Sequence, residues 1–205
     1  MAFGQKFQDV TAKGSPASLS IKIDSDGPYV AIRNNSKKGI LAYLAVTKTT
    51  DERGQSVPCR SRADHAFKPS VLGPKEENPL PCPIDLRDPP DDPSKPNAKI
   101  ADVFSAVLFV QFEHGTTWDD LQTGKQAILD DRPKRLACLK HLAETYYESG
   151  DDAFNAMLID PKLQGLERKI AIHLKVAADY DKTPAIDLVR KQLAAGQGWH
   201  ASGIF

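Results

Sequence analysis

No segment of this sequence is apolar for long enough to cross a bilayer as a helix. Neither sign of charge is in excess: lysine plus arginine count 27, and aspartate plus glutamate count 27. That balance argues against general electrostatic attraction to nucleic acid or an anionic membrane surface. The opening MAFGQKFQDV has no apolar h-region, so it is not a secretory signal as it stands. Two histories fit it: a cytoplasmic protein, or a mature form whose signal was removed.

Cysteine is scarce, with three residues, and no two are spaced as in a zinc knuckle. Cys59 and Cys82 bracket one irregular region, and Cys138 falls in a helical pattern. A Cys59–Cys82 disulfide, with Cys138 as a buried thiol, fits an oxidising compartment; three reduced thiols fit the cytoplasm. The signatures of several enzyme classes are missing too. There is no His-Glu-x-x-His, no Gly-x-Ser-x-Gly, no Walker-type loop and no EF-hand. A triad whose members lie far apart in the chain escapes such motifs, but no residue pattern here points to one. No cofactor or metal is expected.

What is present has two grammars. The 205 residues suffice for one large domain or two small ones, and 40% hydrophobic with 26% charged residues is ordinary for a globular protein. Leu19, Ile21 and Ile23 alternate with Ser20, Lys22 and Asp24, the period of a half-buried strand. A turn at Asp26-Gly27-Pro28 leads to a strand through Val30 and Ile32, closed by Asn34-Asn35-Ser36. That tripeptide is also a formal glycosylation sequon. Ile40 to Thr47 is a nearly continuous apolar strand, followed by a turn at Asp51 to Gly54. Strands at this spacing suggest an all-β sandwich.

Between residues 58 and 96 lie ten of the fifteen prolines. Proline lacks an N–H and fixes φ, so short edge strands near Arg60–Phe67 and Ile84–Leu86 and otherwise extended loop are expected. Arg87-Asp88-Pro89-Pro90-Asp91-Asp92-Pro93 has the form of a polyproline II ligand, but reads as a stiff surface loop. Val103 to Phe112 returns as a strand apolar on both faces, which should be covered on both sides.

Beyond Thr123 the period becomes helical. Leu136, Leu139, Leu142, Ala143 and Tyr146 form a stripe on a helix beginning near Arg132-Pro133. Gly150-Asp151-Asp152 interrupts it, and Phe154, Met157 and Leu158 continue as a short stripe. Leu163, Leu166, Ile170, Leu174 and Ala177 mark the next helix, with Ile172 and Val176 opposite, as if it packed against two neighbours. Thr183-Pro184 starts the last one, with Asp187 and Lys191 spaced as an ion pair and Gly196 and Gly198 as the stop. The apolar tail residues Trp199, Ile204 and Phe205 read as docking back onto the domain.

FEHGTTWDD, residues 112 to 120, lies where the two grammars meet. A two-residue turn at His114-Gly115 would pair Gln111 with Trp118 and put Trp118 on the Phe109 face. The alternative is a divalent metal held by His114 with Glu113, Asp119 or Asp120. Neighbouring strand residues point to opposite faces, which opposes that convergence. Of the other histidines, His141 points away from its helix's apolar stripe, and His173 reads as a packed, hydrogen-bonded histidine.

The phrase FE-x-G-[ST]-x-W, after a sandwich pattern and before a helical tail, resembles uncharacterised bacterial proteins, many of them exported. YVAIRNNSKKGILAYLAV resembles the paired B and C strands of their immunoglobulin-like sandwich. The resemblance covers roughly residues 18 to 150. Those proteins commonly carry aspartate where this chain has His114, and no activity is established for them, so no catalytic residue carries over.

The expectation is an α+β chain: an immunoglobulin-like antiparallel β-sandwich over 15–119, with a proline-rich loop at 68–97, and a C-terminal α-helical subdomain over 120–205 packed against it. Function reads as a non-enzymatic binding module of the cell envelope or exterior, for an unknown protein or small-molecule ligand. Its candidate binding residues are Glu113, His114, Trp118, Asp119 and Asp120. The alternatives are a metal-dependent hydrolase with its site at the sandwich-helix junction near His114, and helices that serve only to dimerise the chain.

Overall fold

A computed structural model of the chain describes residues 6–25, 27–68, 71–83, 100–120 and 124–201. The expected strand at Ile84–Leu86, the polyproline match at 87–93, most of the proline-rich loop, and Ile204 and Phe205 lie outside them. The chain is α+β, with a two-sheet β region followed by helices. It forms two compact units: Met1–Ala63 with Val71–Gly124, and Asp64–Ser70 with Lys125–Phe205.

In the β unit, β2 (Ala17–Asp24), β3 (Gly27–Asn34) and β6 (Glu77–Pro83) form an antiparallel sheet in the order β2-β3-β6. The other sheet runs β1-β7-β4-β5, with β8 also on β7. Its strands are β1 (Lys6–Asp9), β4 (Ile40–Asp51), β5 (Ser56–Asp64), β7 (Ile100–Phe112) and β8 (Thr117–Asp119). β1 runs parallel to β7, so this sheet is mixed, where an all-antiparallel sandwich was expected. Lys6 to Asp9 is too short to display a period. Long-range contacts hold the segment that follows: the Val10 amide donates to Ser105 O, and the Val107 amide to Thr11 Oγ1.

Side chains from both sheets share one core, including Leu19, Val30, Ile32, Tyr43, Leu80, Val103 and Val107. Asn78 Nδ2 donates to the buried Tyr43 hydroxyl at 3.1 Å. Burial raises that phenol's pKa, and the Asn78 hydrogen bond lowers it in part. β6 was not anticipated, because its sequence ENPLPCP carries three prolines. It is tolerated because, among the described residues, β6 is the edge of its sheet and pairs only with β3.

Cys59 of β5 and Cys82 of β6 are disulfide-bonded, with Cα atoms 5.7 Å apart. The bond therefore joins the edge strand of one sheet to the edge strand of the other. Buried Ser61 lies beside it, its Oγ 2.8 Å from Cys82 Sγ.

The helical unit holds α1 (Gly124–Leu129), α2 (Asp131–Leu158), α3 (Gly165–Asp181) and α4 (Ala185–Ala201). Gly150 has φ 80° and breaks α2 as its sequence suggested, and the Tyr146 and Phe154 rings meet edge-on across the break at 5.8 Å. Leu136, Leu139 and Leu142 of α2, Ile170 and Leu174 of α3, and Ile186 and Val189 of α4 are buried.

One component of this unit comes from elsewhere in the chain. From Asp64, the last residue of β5, to Ser70 the chain groups with the helical unit as an arm. Asp64 accepts two hydrogen bonds from the fully buried Arg132 of α2, at 2.9 and 2.8 Å. His65–Phe67 form a 3-10 turn, where an edge strand through Phe67 was expected, and all three are buried. Asp64 turns the chain by accepting the Ala66 amide. Phe67 lies under the Arg135 guanidinium, 4.7 Å from it, and against Gly196. Gly196 does not stop α4, which runs on to Ala201; the glycine instead leaves room for the Phe67 ring. The charge pattern of α4 also differs from expectation, since Asp187 pairs with Arg190 at 3.1 Å.

Candidate functional site

The FEHGTTWDD segment forms a hairpin, but not the expected one. β7 and β8 pair Phe109 with Asp119, Val110 with Trp118 and Gln111 with Thr117. The Phe112 amide donates to Thr116 O and the Gly115 amide to Phe112 O, both at 2.9 Å. The loop is therefore Glu113-His114-Gly115, with Gly115 at φ 81°. A three-residue loop closed by a left-handed glycine suits a chain that lacks the Asn-Gly or Asp-Gly of the shorter turn. The register differs by one residue from the two-residue turn, and one residue moves a side chain to the other face. Trp118 lies opposite Val110, not Gln111, and packs against the β-unit core.

Glu113 fastens this loop to the turn before β4. Its amide donates to Gly39 O at 3.0 Å, and its carboxylate accepts the Gly39 amide at 3.3 Å. A Cβ at position 39 would stand 2.6 Å from Val71 and 2.9 Å from that carboxylate, so a side chain there would push both aside. His114 is largely exposed and its Nε2 is 3.7 Å from Glu113 Oε1. Asp119 continues the β8 pairing, and the Asp120 amide donates to Leu108 O at 3.0 Å. Among the described residues no three His, Cys, Asp or Glu side chains are placed to hold a metal ion.

Elsewhere, Asn34 of the sequon is fully buried. Its Nδ2 donates to the carbonyls of Lys38, Leu72 and Gly73, and its Oδ1 accepts the Ser36 amide and hydroxyl. In the folded chain Asn34 has no room for a glycan. His141 is exposed, as its position implied. His173 is exposed as well, where a packed histidine was expected, because α3 turns its whole outer face to solvent.

Compared with family models, with curated proteins and with solved structures, the chain matches none.

The outer face of α3 is the feature of the helical unit that its internal packing does not use. Ile172, Val176 and Tyr180 recur every four residues and are 50%, 61% and 87% exposed. The sequence marked Ile172 and Val176 as a second packing face, yet the structure leaves it open. Tyr180 was missed, though the same spacing extends to it. Lys175 and Asp179 lie beside the stripe, 3.5 Å apart. They also border an open cleft of about 530 Å³, lined further by Leu158, Ile159, Ala178 and Pro184. Ile159, 64% exposed, adds apolar surface there.

Proposed function

We propose that this chain is a non-enzymatic interaction module of the cell envelope or exterior, and that it works by pairing α3 with α3 of a second copy. The observation that carries the reading is the exposed Ile172–Val176–Tyr180 stripe. An apolar row of this kind, with a tyrosine, is the composition of an interface centre rather than of solvated surface.

Charge supports a second copy as the occupant. At 3.6 residues per turn, Lys175 and Asp179 fall on the same flank of the stripe. Two α3 helices laid antiparallel about Val176 bring like flanks together. Lys175 of one copy then comes within a turn of Asp179 of the other, and the pair occurs twice. Ile172 of each copy meets Tyr180 of the other.

The Cys59–Cys82 bond supports the location, since disulfides persist in oxidising compartments. Strand order supports the immunoglobulin-like comparison. Lettered from β2, strands A, B and E lie in one sheet and C′, C, F and G in the other, with B and C on opposite sheets. The disulfide joins C′ to E, unlike the B–F bond of antibody domains.

Sedimentation across a dilution series tests the reading. Wild type should pass from monomer to dimer with rising concentration, and Val176→Glu should remain monomeric with an unchanged melting temperature. A wild type that is monomeric throughout, or a Val176→Glu variant that still dimerises, overturns it.

A further inference from the structure

We propose that the Cys59–Cys82 disulfide is a redox-operated latch on the arm that completes the helical unit. The arm's insertion supports this, because the segment enclosed by the two cysteines contains residues 64–70. Asp64 to Phe67 are structural parts of the helical unit. Asp64 supplies the carboxylate for the fully buried Arg132 guanidinium, and Phe67 fills the space over Gly196 beneath Arg135. Ala66 is fully buried as well. The helices therefore owe part of their interior to residues that directly follow Ala63 of β5 in the chain.

The two ends of the arm are held differently. On the return side, Leu72 exchanges backbone hydrogen bonds with Ile40, and buried Asn34 binds the Leu72 and Gly73 carbonyls. That anchor is independent of redox state. On the outgoing side, β5 is an edge strand, exposed along Ser56–Pro58, and contains a proline. Its covalent anchor is Cys59–Cys82, five residues before Asp64, with Ser61 against the same sulfur. Reduction removes the covalent anchor nearest the residue that neutralises Arg132 and leaves β5 held by its pairing with β4.

The chemistry requires a dithiol reductant. One reductant thiolate attacks a cystine sulfur and the S–S bond breaks. The second thiolate then resolves the mixed disulfide. Cys59 and Cys82 end as thiols, having taken up two electrons and two protons, and the reductant ends as its own cyclic disulfide. Cys138 takes no part.

Amide hydrogen exchange on the full chain tests the latch, with three samples: oxidised, dithiol-treated, and Cys59→Ser/Cys82→Ser. The latch predicts exchange about tenfold faster in both unbonded samples at α2 around Arg132–Leu142 and at α4 around Val189–Gly196, as well as in β5 and β6. Faster exchange confined to β5 and β6, or none anywhere, overturns the proposal. If the double variant does not fold, the dithiol titration of the native protein reads the same amides. If the native bond resists the dithiol, the double variant decides.

Discussion

Phe67 and Gly196 touch: a Cβ built on Gly196 would lie 2.6 Å from Phe67 Cε1 and 2.9 Å from Cδ1. Gly198, two residues on in the same helix, has nothing within 4 Å of such an atom. The two glycines of the tail thus carry opposite predictions. Gly196→Ala forces a buried ring to move and should destabilise the chain by about 1–3 kcal/mol. Gly198→Ala should be neutral, or should stabilise by up to about 1 kcal/mol through helix propensity. Chemical denaturation of both variants checks the pair, and equal effects would mean that Phe67 does not seat there.

Arg132 and Asp64 set the cost of losing the arm's charge. The Arg132 side chain is fully buried, and Asp64 binds it through two hydrogen bonds. Asp64→Ala leaves a buried guanidinium without that partner and should cost about 3–5 kcal/mol. Replacing the pair together, Asp64→Ala with Arg132→Met, should recover much of that loss. A double variant as unstable as the single one would place the stabilisation elsewhere.

Cys138 should be an inert thiol. Burial raises its pKa, Glu167 adds to the rise and Arg135 opposes it, with the result at about 11. At pH 8 its thiolate population is then about a hundredfold below that of a thiol with pKa 9, and alkylation of the native chain should slow accordingly. The linkage has a definite sign. An acid whose pKa is raised on folding binds its proton more tightly in the folded state. Its contribution to stability is therefore full below pH 9 and is lost as pH climbs from 9 toward 11. A Cys138→Ala variant should show a flatter alkaline limb of stability against pH.

Glu113 and His114 separate a structural role from a ligand role. Glu113→Ala removes the acceptor of the Gly39 amide and should lower stability by about 1 kcal/mol. His114→Ala, at an exposed loop tip, should change it by less than about 0.5 kcal/mol. Zinc, manganese or calcium added after chelation should leave the melting temperature of wild type unmoved. A rise that vanishes in His114→Ala would make the hairpin a metal site.

Much of the architecture was legible from local periodicity. β2 to β4, the strand at Val103–Phe112, the break at Gly150 and the buried stripes of α2 and α3 all follow from the spacing of apolar side chains and the placement of glycine and proline. The hairpin was half legible: glycine announces a turn, but one residue of loop length decides which face Trp118 takes. α3 was legible as two-faced, while whether its second face is covered depends on what stands opposite, which no pattern within the helix encodes.

By itself, then, the sequence determined the central strands β2 to β4 and β7, the helices that follow them, the two-part grammar and the candidate cysteine pair. Tertiary structure alone decided the rest: that β1 joins the last long strand in parallel, that prolines occupy an edge strand, and that residues 64–70 complete the helical unit. Asp64 and Arg132 lie 68 positions apart, the parallel partners Phe7 and Val103 96 apart, and Arg33 and Glu77 of the proline-bearing edge 44 apart. Periodicity reports which side of an element is apolar. It carries no information about which distant residue will meet that side, because that choice is made by the packing of the whole chain.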